Sequence, residues 1–177
     1  SHQEVNRMKY FIIYLLYDFV IFHLIWSMEN LPILNLPIYK HKIKSIKKNL
    51  QIFDIVRNKY VRLSHEEWVR QNFIHFLHKQ NNYPLGLMNV EKLVKYNNLK
   101  TRADILVSDR YGNVNMIVEC KSPNTKLNSE TIFQIAKYNY NLKVKFLVVT
   151  NGMEHFCFEM DYKNKNINRL QTMPLHT

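Results

Sequence analysis

Between Ser64 and Gln80 the apolar residues Val69, Phe73, Phe76 and Leu77 recur within EEWVRQNFIHFLHKQ at the spacing of one helix face. Ser64 stands where an N-cap belongs, and Glu66 and Glu67 fill the first turn, where the helix dipole favours negative charge. NNYPLG breaks that pattern. The period then changes: LMNVEKLVKY, TRADILVSD and VNMIVECK are short β-rich runs separated by NNLK and RYGN, which predicts an antiparallel three-strand meander. From Ser129 the helical spacing returns at Ile132, Ile135, Ala136 and Tyr140. KFLVVT follows as a nearly continuous apolar strand, Gly152 turns it, and HFCFEMDY alternates as another strand. The order helix, three strands, helix, two strands predicts a mixed α/β layer without internal repeat. From Lys163 onward the chain is polar and is expected to fray.

A length of 177 residues suits one core with trimmings. The divisions expected are an apolar extension over 1–27 of doubtful membership, a basic lead-in over 28–62, a core over 63–162 and a polar tail over 163–177. Residues 10–26, YFIIYLLYDFVIFHLIW, are slightly short for a membrane span and contain Asp18 and His23. An interfacial or membrane helix, a helix packed on the domain, and translated sequence upstream of a start at Met28 compete for this run. The last is favoured, so no membrane partner is expected.

Charge adds a class of partner. Lysine and arginine number 25 against 14 acidic residues, a formal +11, which favours polyanions and nucleic acid first among them. Abundant Asn, Lys, Ile and Tyr are also what an AT-rich coding sequence would produce, so part of the basicity is discounted. The run KHKIKSIKK over 40–48 reads as a solvated strand or turn, or as a phosphate-contacting edge through Lys42, Lys44, Lys47 and Lys48; Arg102 and Lys126 are further candidates for nucleic-acid contact. Cys120 and Cys157 lie in apolar alternating segments and read as buried thiols, consistent with a reducing, cytoplasmic setting.

Candidate chemistry sits at VECKSP, residues 118–123. In a strand Glu119 and Lys121 share one face while Val118 and Cys120 share the other. Asp104 interrupts the preceding apolar strand, and a hairpin through Gly112 would bring it towards Glu119. Two carboxylates about 5 Å apart repel by roughly 3 kcal/mol at an effective dielectric of 20. A divalent cation turns that liability into a site, and oxygen donors, the Cys120 backbone carbonyl included, suit Mg2+ or Mn2+. Lys121 beside such an ion would offset negative charge developing on a phosphate. E-x-K by itself is weak, and most instances are solvated strand pairs. The other [DE]-x-K here, Asp161-Tyr162-Lys163, has no carboxylate-bearing hairpin before it.

With Asp104, Glu119-Cys120-Lys121 and Gln134 to Tyr138, the sequence resembles the PD-(D/E)xK nuclease superfamily. More closely it is similar to the nuclease region at the N-terminus of the restriction subunit of type I restriction-modification enzymes. EEWVRQ, RADILV, VECKSP, QIAKYN and LVVTNG carry the resemblance, over roughly 35–162. It implies a restriction-endonuclease-like α/β fold: a mixed central sheet of antiparallel meander, crossover helix and further strands, flanked by helices. It also implies that Asp104 and Glu119 bind metal, that Lys121 is catalytic, and that Gln134 and Tyr138 face the site from the helix. A helix carboxylate often joins the metal, and Glu66 is chosen over Glu67 because its spacing to Val69 and Phe73 aligns it with the inward face; capping is the competing role.

Ala103 stands where the family has a proline before the first acid. No G-x-x-x-x-G-K-[ST] is present, with Gly86, Gly112 and Gly152 the whole supply of glycine, so no ATP site is expected in this chain. The reading is a Mg2+-dependent nuclease acting on DNA, with motor or specificity subunits supplied by other chains, or a homodimer. A catalytically idle nucleic-acid-binding or assembly module of the same fold is the alternative.

Overall fold

The computed structural model describes residues 31–47, 49–96, 99–133, 136 and 143–176, with the backbone alone at 93–96 and 99–101. A small antiparallel sheet comes first: β1 (Ile43–Ile46), β2 (Asn49–Asp54) and β3 (Lys59–Arg62). Helix α1 (His65–Lys79) follows, with the Ser64 hydroxyl accepting from the Glu67 N–H at 3.1 Å, the cap its sequence predicts.

Six strands then form one sheet in sequence order: β4 (Met88–Tyr96), β5 (Leu99–Ser108), β6 (Val114–Cys120), β7 (Phe146–Thr150), β8 (His155–Asp161) and β9 (Asn166–Leu170). All neighbours are antiparallel except β6 and β7, which run parallel. Parallel neighbours need a crossover, and residues 129–133 and 136 in that connection are helical.

The core lies on both faces of this sheet. Val69, Phe73 and Leu77 of α1 pack with Ile105, Met116, Val118, Cys120 and Val148. On the opposite face Ile132 and Ala136 pack with Leu106, Ile117, Leu147 and Val149. β7 is buried at all five positions, as a central parallel strand should be. The mixed α/β layer, meander and crossover follow the sequence pattern.

Two elements depart from it. The lead-in is an ordered three-stranded sheet, in which only a strand or turn near β1 was expected. The tail does not fray: β9 pairs with β8, Leu170 and Met173 pack on the α1-side core, and the His176 N–H donates to the Asn81 carbonyl at 2.8 Å. The polar letters of NINRL mark an edge strand, exposed at four of its five positions. Among the described residues no helix is long and apolar enough to cross a membrane; the apolar run at 10–26 lies outside them.

Candidate active site

Asp104 sits where the ladders on both sides of β5 are interrupted. On the β4 side the pairs Val90↔Ile105 and Lys92↔Ala103 flank it, and the intervening Glu91 has φ +50°, the left-handed region. On the β6 side the described pairs stop at Ile105↔Val118. The side chain takes over: Asp104 Oδ2 accepts the Cys120 N–H at 2.7 Å, while Oδ1 accepts Arg70 Nη2 at 2.7 Å. A buried carboxylate is thus satisfied by one backbone donor and one guanidinium, which burial requires.

Glu119 and Lys121 share a face as the strand alternation predicts, and Lys121 Nζ donates to Glu119 Oε1 at 2.8 Å. Cys120, between them, is fully buried on the α1 side. Burial, reinforced by the negative charge of Asp104, raises the Glu119 carboxyl above its usual range, with Lys121 partly offsetting it. Burial opposes the Lys121 ammonium, but Glu119, Asp104 and Glu66 outweigh it and raise its pKa. The Glu66 carboxyl is also raised, first by burial and then by Asp104. Asp104, Glu119, Glu66 and Lys121 therefore share one electrostatic neighbourhood.

The two helix glutamates divide differently from the spacing argument. Glu67 is the inward residue, 6% exposed, whereas Glu66 is half-buried. Glu67 is spent on structure: it accepts from Arg57 Nη2 at 3.1 Å, from Gln71 Nε2 at 2.8 Å and from Arg70 Nη1. Glu66 reaches Arg70 Nη2 at 3.2 Å and remains the helix carboxylate that responds to Asp104 and Lys121.

Arg70 is the residue that sequence reasoning missed. Its only local signal was the i+3 and i+4 spacing from Glu67 and Glu66. Burial works against its charge, but Asp104 and Glu67 outweigh that, so its proton is held more tightly than in an ordinary arginine. Arg57, in the turn between β2 and β3, continues the network through Asp54 at 2.6 Å and Glu91 at 2.8 Å.

Other candidates lie apart from this cluster or beyond description. Gln134, Tyr138 and Lys48 lie outside the described residues. Arg102 is 60% exposed, with Nη1 3.8 Å from Glu91 Oε1. Lys126 is exposed in the crossover, and Lys42, Lys44 and Lys47 belong to the β1 segment.

Among the described residues no group of three or more His, Cys, Asp or Glu side chains is gathered as a metal site. Asp104 and Glu119 engage Arg70 and Lys121 instead. The donor chemistry nevertheless fits a hard divalent ion. Asp104 and Glu119 offer only oxygens, and each carboxylate oxygen can accept more than one bond.

A family model described as type I restriction enzyme R protein N terminus matches residues 65–174, from the start of α1 to just beyond β9. This chain belongs to that family. Its matched span contains Glu66, Arg70, Asp104, Glu119 and Lys121. No curated protein matches the chain in sequence. Among solved structures, one described as the fragment of a proposed HsdR subunit of a type I restriction enzyme from Vibrio vulnificus YJ016 is 22% identical, with a TM-score of 0.47. The match covers 64% of this chain and 24% of that one, so the chain spans only a minor part of its length.

Proposed function

We propose that this member of the R-protein N-terminal family is a metal-dependent nuclease of the restriction-endonuclease-like, PD-(D/E)xK kind, hydrolysing phosphodiester bonds in DNA. One observation carries the reading: Asp104, within β5, accepts the Cys120 N–H at the end of β6 and shares Arg70 Nη2 with Glu66, while Glu119 and Lys121 pair on either side of Cys120. Mixed sheet, crossover and flanking helices support the fold assignment.

Asp104 and Glu119, with Glu66 and the Cys120 carbonyl, would hold Mg2+, or Mn2+ in its place. Such an ion, when bound, lowers the pKa of water and neutralises phosphate charge. Arg70 and the Cys120 N–H fix Asp104 so that its carboxylate does not swing. Glu119 holds the Lys121 ammonium beside the place for a phosphate, where it offsets negative charge in the transition state. Gln134 and Tyr138 would contact the site from the crossover helix. Motor and specificity functions would come from other chains, or two copies would pair, in the cytoplasm.

A DNA cleavage assay with added Mg2+ or Mn2+ tests this. Wild-type protein should nick or cut, Glu119→Gln should abolish cutting and Lys121→Ala should slow it by about a hundredfold or more, with folding intact. Equal residual cutting by all three overturns the assignment. The idle binding module rests on a specific observation too, that Asp104 is already engaged by Arg70; it predicts DNA binding with no cutting under any divalent ion.

A further inference from the structure

The strands of the small sheet contribute no side chain to the Asp104, Glu119 and Lys121 cluster, and the sheet's two faces differ. Register sets Ile43 opposite Ile52 and Ile52 opposite Val61, while Lys44 lies opposite Gln51, Gln51 opposite Arg62, and Phe53 opposite Tyr60. Because side chains alternate, the first set lines one face and the second set the other. Lys42, whose carbonyl accepts the Phe53 N–H at 2.9 Å, joins the second face. Ile52 is fully buried on the first face. Among the described residues the second face carries three cations, Lys42, Lys44 and Arg62, and no carboxylate.

Its lysines are held in place. Lys44 Nζ lies 3.7 Å from the centre of the Tyr60 ring and Lys42 Nζ 5.4 Å from that of Phe53. The two rings pack edge to face at 5.2 Å. A lysine over a ring retains N–H donors for an anion and has less side-chain freedom left to lose on binding. Lys42 and Lys44, two residues apart on an extended strand, are about 6.6 Å apart along it, a spacing suited to successive backbone phosphates.

We infer that this face binds the phosphodiester backbone of nucleic acid, with Lys42, Lys44 and Arg62 on phosphates and Phe53 and Tyr60 as the bed that fixes the lysines. The inference rests on the nuclease reading for its choice of ligand. It is also continuous with the site: Tyr60 and Arg62, with Lys59 and Val61 beside them, line a groove that Arg57, Ser64, Glu67 and Glu91 complete. Glu67 there is the partner of Arg70, which holds Asp104. A backbone lying on the small sheet would thus be led along the groove towards the carboxylates.

The test uses the full chain and fluorescent duplex and single-stranded oligonucleotides, read by anisotropy in EDTA so that nothing is cut. Lys42→Ala with Lys44→Ala should weaken binding on the order of tenfold and lower the slope of log affinity against log salt by about 2. Tyr60→Leu, which removes the ring and no charge, should weaken binding by a smaller factor and leave the slope unchanged. Unchanged affinity and slope in a double variant that melts like wild type overturn the inference. So does a double variant that loses binding to phosphatidylserine vesicles but keeps DNA. The two readings separate cleanly: loss of binding in the lysine variant of a protein that never cuts sustains the face while removing the nuclease.

Discussion

Arg70 donates from Nη2 to Asp104 Oδ1 at 2.7 Å, joining α1 to the interruption in β5 across 34 residues of sequence. Its other terminal nitrogen serves Glu67, so one guanidinium compensates two buried carboxylates. That makes it the hinge between the small sheet's Arg57 network and the candidate site.

Arg70→Ala leaves Asp104 buried without its cation and Glu67 with Arg57 alone, and should cost about 3–5 kcal/mol of stability. Arg70→Lys should cost less but still measurably, since one ammonium cannot reproduce the forked geometry. Chemical denaturation measures both. An Arg70→Ala protein as stable as wild type would show that the network contributes nothing.

Lys121→Ala should slow cleavage by about a hundredfold or more while changing DNA affinity little, as expected when a charge that acts in the transition state is removed. Single-turnover rates beside binding isotherms separate the two quantities. An equal loss in both would make Lys121 a binding residue.

Acid should destabilise the fold through its histidines. Burial, followed by the nearby His41, His78 and Lys79, depresses His75 to about 4, and burial also lowers His41 and His155. In the unfolded chain these groups titrate near about 6.5. The sign follows: the unfolded state binds protons first, so this contribution is complete above about 6.5 and is lost as pH falls towards about 4. Each histidine adds at most about 1.4 kcal/mol per pH unit. His75→Gln should flatten part of the slope in melting temperature between these limits, and an unchanged slope would contradict the placement of His75.

Cys120→Ser should cost roughly 1–3 kcal/mol, because its side chain is fully buried among α1-side core residues and a hydroxyl there would lack a partner. Chemistry should survive, since only the backbone of residue 120 faces Asp104. Normal stability with lost cutting would reverse that division of roles.

Truncation after Lys163 removes β9 and the packing of Leu170 and Met173, and should cost about 3 kcal/mol or more from apolar burial alone. Thermal melting checks this. A truncated chain with the wild-type midpoint would mean that the tail is dispensable.

The periodic part of this protein is written into its local sequence. Val69, Phe73 and Leu77 at helical spacing, the meander between turn residues, and the alternation that separates Glu119 and Lys121 from Cys120 are local properties, legible because side-chain direction repeats every 3.6 or 2 residues. Asp104 was legible for the related reason that a carboxylate inside an apolar strand violates its surroundings. Tertiary structure decided what depends on distance between remote segments. It chose Glu67 over Glu66 as the buried helix acid, because Arg57 and Arg70 converge there to compensate it. It made Arg70 the partner of Asp104, built an ordered sheet from the basic lead-in, and recruited the mostly polar β9 as an edge strand held by its pairing with β8 and the packing of Leu170. A charge pattern names no partner until the fold brings two segments within reach.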